Sequence, residues 1–186
     1  MIIHQNPFIA FIDRIIPNSI IEDMNAIPND DFNRSFGMNK DGTSSLTDIR
    51  TSSTYHTRNK FKSATEIVLN FLAQEFSHVY DINKAERWQL TQYEPTQFYK
   101  PHYDYFHNSA QLNGKTNRIA TAILYLNDNF TGGETKFSKL EISITPRLGA
   151  LLYFTYPINN PNNNLTFHSG EPVINGIKRI ATLWLR

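Results

Sequence analysis

From residue 87 to residue 185 the sequence loses helical periodicity and runs as short apolar stretches, none longer than nine residues, separated by turn residues. That pattern admits many short strands and leaves little room for crossover helices. Residues 88–93 alternate apolar and polar, the period of a strand with one covered face. Residues 119–127 (IATAILYLN) and 150–156 (ALLYFTY) are almost continuously apolar, as in strands buried on both faces. Shorter extended segments follow at 135–137, 141–144, 165–168 and 172–174, and 177–185 closes the chain. Thr131-Gly132-Gly133, residues 146–149 and the polar run 159–164 mark turns and loops. Asn175-Gly176 is the strongest short hairpin signal.

Helical spacing is confined to the first third. Ile20, Ile21, Met24 and Ile27 follow Pro17-Asn18-Ser19, and Pro28 ends the segment. Ser63-Ala64-Thr65-Glu66 has the form of a capping box. Ala64, Ile67, Val68, Phe71, Leu72 and Phe76 then recur at three and four, predicting a helix over 63–78 whose apolar stripe covers a sheet. Residues 8–16 read as a strand, and 29–53 as a polar connection broken by Gly37 and Gly42. Residues 37–48 hold Asn39, Asp41 and Gly42 but lack the first acid and the last Glu of a calcium loop. The fold class predicted is α+β, mainly β: an antiparallel double-sheet with N-terminal helices packed on one sheet. We expect one domain over 1–186, with 1–85 supporting a β core at 86–186.

Chemistry is narrowed by what is missing. The sequence has no cysteine, so a metal has to be held by His, Asp or Glu. Net charge is +1 and no apolar run approaches the roughly 20 residues of a membrane span, so neither a nucleic-acid nor a membrane partner is expected. The N-terminus lacks a basic region followed by an apolar core, which points to a cytoplasmic compartment. Oligomeric state is not legible.

Among six histidines, His102 stands two residues from Asp104. In an extended chain those side chains share a face. A histidine returning from far along the chain, for which His168 is the candidate, would complete two histidines and one carboxylate, the set that holds non-haem Fe(II) with open positions. A 2-oxoglutarate cofactor also needs a cation for its far carboxylate. Lys178 on the closing strand can supply it, with neighbouring Arg179 facing the other way.

The blocks around these residues resemble prolyl 4-hydroxylase catalytic domains. Residues 93–106 (YEPTQFYKPHYDYF) are similar to that family's iron-binding segment. Residues 118–128 with Gly132-Gly133-Glu134-Thr135 are similar to its next block, and 168–173 and 176–186 to its closing block. Arg50-Thr51-Ser52-Ser53 fits a short upstream motif. The resemblance implies a double-stranded β-helix, or jelly roll, and Fe(II) held by His102, Asp104 and His168. It also implies 2-oxoglutarate bound by Lys178 in a pocket lined by Tyr93, and O2 as co-substrate. Ascorbate is a potential co-reductant. Tyr99, Arg118 and Trp184 match positions bordering the peptide groove. The implied reaction is hydroxylation of peptidyl proline with release of succinate and CO2. Ser169-Gly170-Glu171 depart from the animal enzymes, and the 107–117 loop is short, so collagen-type specificity is not carried over with the iron site. Two other readings stand beside this one: the same chemistry on another side chain, a small molecule or a nucleobase, and a non-catalytic metal-binding jelly roll.

Overall fold

The computed structural model describes the whole chain except Lys40, Asn59, Asn113 and the side chain of Met38. Strands β1 (Ile2–Gln5) and β2 (Phe8–Ile12) precede helix α1 (Asn18–Asn25). The polar connection yields β3 (Asn33–Arg34), β4 (Phe36–Met38), β5 (Ser44–Leu46) and β6 (Ser53–His56). Helix α2 (Lys62–Phe76) leads to β7 (Gln89–Tyr93) and β8 (Tyr99–His102), and then a short helix α3 (Ser109–Leu112). Next come β9 (Ala120–Tyr125), β10 (Thr131–Gly132), β11 (Thr135–Phe137), β12 (Ile142–Ile144) and β13 (Leu151–Thr155). A 3-10 segment, Pro161–Thr166, precedes β14 (His168–Gly170), β15 (Val173–Asn175) and β16 (Lys178–Leu185).

Among the described residues the main sheet runs β1-β2-β13-β9-β16-β7-β6-β3, and a smaller sheet runs β12-β11-β14-β8. Both are antiparallel throughout. The two sheets face each other as a double-stranded β-helix, with the helices on the outer face of the larger one. Strand alternation divides the core accordingly. Leu90, Ala122, Leu124, Ala181, Leu183 and Leu185 point outward onto Ile21 and Met24 of α1 and Ala64, Val68 and Leu72 of α2. Ile123, Tyr125, Leu152, Phe154 and Ile180 point inward onto Phe137 and Ile144 of the smaller sheet. Each fully buried leucine here contributes about 2 kcal/mol by leaving water. No described helix is long and apolar enough to cross a membrane.

Strands β9 and β13 are buried on both faces, as their continuous apolar runs predict. Strand β7 alternates by layer rather than by exposure: all five residues are buried, with Gln89, Thr91 and Tyr93 on a cleft and Leu90 and Gln92 on the opposite side. Several local signals are overridden by tertiary contacts. The Ser63–Glu66 capping box does not form. Helix α2 starts at Lys62, capped by Phe61 at φ 66° with no side-chain hydrogen bond. Its phase suits the bond from Trp88 Nε1 to Thr65 Oγ1, 3.0 Å, which buries both residues. The helix also ends before His78, with Ser77 left-handed at φ 58° and the His78 N–H donating back to Leu72 O. The Ser77 N–H returns to Ala73 O, so a left-handed residue closes the helix without glycine.

Asn175-Gly176 turns the chain but makes no hairpin. Strand β15 pairs with β10, whereas β16 pairs with β7 and β9. Gly176 (φ 82°) is a corner between sheets, where a Cβ would meet Asn129 O at 2.9 Å. Leu165 and Thr166 are 3-10 rather than extended, and α3 interrupts a region expected to hold no helix. The 37–48 segment, part of which lies outside the described residues, carries the β4–β5 hairpin.

Candidate active site

Strand β14 lies between β8 and β11, and the pairing puts His168 directly opposite His102. The ring centroids are 4.3 Å apart. Strand β8 ends at His102, so Asp104 sits in the bend after it rather than on the strand. The bend still brings the carboxylate in: Asp104 Oδ1 is 3.5 Å from His102 Nε2, and Oδ2 is 3.8 Å from His168 Nε2. One donor atom from each residue falls within 4.8 Å of the others. Backbone carbonyls aim the rings. His102 Nδ1 donates to Lys100 O at 2.8 Å, and His168 Nδ1 donates to Thr166 O at 2.9 Å. A carbonyl only accepts, so each Nδ1 carries a proton and each Nε2 is the nitrogen that faces the shared volume.

The carboxylate has further support. Thr121 Oγ1 donates to Asp104 Oδ2 at 2.7 Å and contacts Tyr156 Oη at 2.6 Å. Burial alone would raise the Asp104 pKa, but His168, His102 and Arg118 more than offset it and hold it below the usual carboxylate range. Burial and the neighbouring His102 push His168 down to about 4, leaving its ring neutral and able to ligate at neutral pH. Two imidazole nitrogens and a carboxylate converging within 4.8 Å fit a divalent iron.

Lys178 opens β16 opposite Tyr93 and is 2% exposed. Its Nζ donates to Gly133 O at 2.6 Å and lies 5.1 Å from the Tyr93 ring centroid. Among the described residues no carboxylate is within ion-pair distance of it. Burial therefore pulls its pKa down to about 8, against a weak opposing pull from Glu134. Gly133 (φ 69°) permits this approach, since a Cβ there would meet Lys178 Cδ at 3.0 Å. Arg179 faces the other way, as alternation predicts, bonding Gln92 and the Asn25 carbonyl.

Tyr93, Tyr99, Arg118 and Trp184 line the same cleft as the triad and Lys178. Tyr99 stacks on His102 with centroids 3.5 Å apart. Arg118 is no solvated strand start. It forms a two-pronged bond to Glu86 (2.7 and 2.8 Å), donates to Asp104 O at 3.2 Å and lies 3.9 Å over the Trp184 ring. Trp184 Nε1 is buried with no partner among the described residues. Sequence reasoning missed Thr121, Tyr156 and Glu86. It noted the motif at Arg50 without a role. Arg50 is buried, donates to Ser52 (3.1 Å) and Thr91 (3.0 Å), and lies 5.0 Å from the Tyr99 centroid. The cleft encloses about 1970 Å³, well beyond the roughly 300–1,000 Å³ of a small-molecule pocket. It has room for a cofactor and a length of polymer together.

Residues 88–186 match the model of the 2OG-Fe(II) oxygenase superfamily. A probable prolyl 4-hydroxylase of Arabidopsis thaliana, number 7 of its series, is 32% identical over 167 residues, covering 79% of this chain and 52% of that protein. The chain spans about half the length of the curated relatives it matches. Among solved structures, the viral collagen prolyl hydroxylase of Paramecium Bursaria Chlorella virus-1, in complex with 2OG, superposes with TM-score 0.71 at 24% identity, covering 96% of this chain and 95% of that one. A Trichoplax adhaerens prolyl hydroxylase, in complex with a hypoxia inducible factor peptide fragment, gives 0.68 at 16% identity, covering 95% and 82%. At these identities the structures establish the fold.

Proposed function

The chain belongs to the 2OG-Fe(II) oxygenase superfamily, and on that premise we propose that it hydroxylates proline within an extended peptide. The observation that carries the reading is one long cleft shared by the His102–Asp104–His168 cluster and a buried, carboxylate-free Lys178. His102, Asp104 and His168 would hold Fe(II), as a set of two histidines and one carboxylate that leaves positions for further ligands. Lys178 would pair with the far carboxylate of 2-oxoglutarate beside Tyr93, since among the described residues no carboxylate is within ion-pair distance of it. When bound, iron and 2-oxoglutarate supply with O2 the oxidising power, and the cofactor leaves as succinate and CO2.

The protein's part is orientation. Tyr99 backs His102, and the Arg118–Glu86 pair braces the Asp104 backbone and the Trp184 ring. Trp184 lines the cleft itself, where its ring would meet a bound peptide. The peptidyl assignment is supported by the cleft volume and by the prolyl 4-hydroxylases that this chain resembles. It is tested by incubating the protein with Fe(II), 2-oxoglutarate, O2 and a library of proline-containing peptides. We expect one oxygen atom added at proline, matched by succinate. Succinate release with no peptide modified would remove the peptidyl reading and leave another acceptor.

Thr121 provides a finer test of the metal assignment. Thr121→Val keeps the volume but removes the hydroxyl that donates to Asp104 Oδ2. Iron affinity should fall by about 10–100-fold, the range for loss of a partner that orients a ligand. Anaerobic Fe(II) titration reads this directly, and wild-type affinity in the variant would show that the hydroxyl does not support the ligand.

A further inference from the structure

The chain carries a net charge of +1, yet its cleft is strongly cationic. Among the described residues, ten Lys and Arg side chains line it against three Asp and Glu. Lys178 is the residue proposed above for the cofactor, and Arg118 and Arg186 both bond Glu86. Arg34 and Arg50 are turned onto backbone carbonyls and hydroxyls. The remaining five, Arg58, Lys60, Lys84, Arg87 and Lys115, are exposed and pair with no carboxylate among the described residues.

Topology gathers those five at one end. Strand β6 finishes where β7 begins, with His56 opposite Gln89. Strand β16 finishes there too, with Thr182 opposite Gln89, and Leu185 at its end faces Ala120 at the start of β9. Arg58 and Lys60 lie just past β6, Lys84 and Arg87 just before β7, and Lys115 just before β9. Lys178 and Tyr93 occupy the opposite ends of the same strands. Like charges held around one cleft mouth repel one another and focus a positive potential into it, which an anionic ligand relieves.

We propose that this end of the cleft is a cationic subsite that recognises Asp or Glu residues flanking the target proline, an inference that rests on the peptidyl reading above. The unpaired charge is local, which suits a short acidic cluster on a peptide. A nucleic acid carries a charge on every unit, and further along the cleft the lining turns to neutral and internally bonded groups.

The test uses peptides with one proline-containing core and different flanks: Glu on the amino side, Glu on the carboxyl side, Gln on both, or Lys on both. Binding is followed by fluorescence anisotropy and hydroxylation by mass spectrometry, at low and high salt. One Glu-flanked peptide should bind about tenfold tighter than the Gln peptide at low salt, with the advantage shrinking as salt rises. The gain should lie in KM rather than kcat. The double variant Lys84→Glu with Arg87→Glu should erase the preference while hydroxylating the Gln peptide at the wild-type kcat. Equal binding of Glu and Gln peptides, or a salt-independent preference, overturns the subsite, as does a single-stranded oligonucleotide that binds more tightly than the Glu peptides. Selective binding of a Glu peptide without hydroxylation of any peptide keeps the subsite and removes prolyl hydroxylation. Equal hydroxylation of Glu and Gln peptides does the reverse.

Discussion

Asp104→Ala should leave the fold intact and remove both iron and turnover. The carboxylate is 7% exposed and stands 3.5 and 3.8 Å from the two Nε2 atoms that face it. It is the one anion of the cluster, so its loss leaves a divalent cation facing two neutral rings. A partner that merely orients a ligand is worth about 10–100-fold in affinity, and removal of the anionic ligand itself should exceed the upper end of that range. A loss of stability is expected as well. Burial opposes ionisation of Asp104, and the metal-free protein holds the charge only through the histidines, Arg118 and Thr121. Because those partners hold its pKa below the usual range, the fold gains from the charge, and exchanging it for alanine should destabilise the metal-free protein by up to about 3–5 kcal/mol. Bound iron, succinate release and the thermal melt of the metal-free protein are therefore measured together. Lost iron in a variant that still melts cooperatively, lower than wild type only by the stability of that charge, assigns the carboxylate to the metal. Stoichiometric iron and normal turnover in the variant would refute the site.

The parts of this site legible in the sequence are those set by strand period. Lys178 and Arg179 diverge because neighbours on a strand must, and residues 119–127 and 150–156 form central strands because only a two-sided burial suits such runs. His102 and Asp104 converge for a related reason, although the strand stops before Asp104. The supporting groups were illegible because their partners are distant in sequence and obey no period. Glu86 meets Arg118 across 32 positions, and Arg50 meets Thr91 across 41. Thr121 has the profile of one more buried strand residue until its hydroxyl is seen on Asp104. The misread signals were local ones that a tertiary contact outweighed. Asn175-Gly176 specifies a turn but not the sheet into which it delivers the chain, and Ser63–Glu66 lost its cap where the Trp88–Thr65 bond suits an earlier helix start.

Lys178→Met should stabilise the empty protein and disable the occupied one. Burial lowers the Lys178 pKa from 10.5 to about 8. For a base, a folded pKa below the unfolded one means that the unfolded chain binds more protons between those two values. Stability should then rise with pH from about 8 to about 10.5, and below 8 the full cost of the buried cation remains. At 1.36 kcal/mol per pK unit that cost is on the order of 3 kcal/mol, a contribution that methionine, similar in length and uncharged, does not carry. The metal-free variant should therefore melt several degrees higher than wild type at pH 7, and its melt should lose the rise above pH 8. With manganese(II) in place of iron, 2-oxoglutarate at about 100 times its Kd should raise wild-type stability by about 2.7 kcal/mol, and the same concentration should raise the variant's by no more than about 0.4 kcal/mol. An unpaired buried carboxylate costs about 3–5 kcal/mol, so the cofactor should bind the variant at least about a hundredfold more weakly. The two effects have opposite signs and one cause: a cation kept in an apolar wall for an anion that arrives later. A lysine serving the fold through its bond to Gly133 would give the reverse in the empty protein, a lower melt on substitution, and that result would take 2-oxoglutarate away from Lys178.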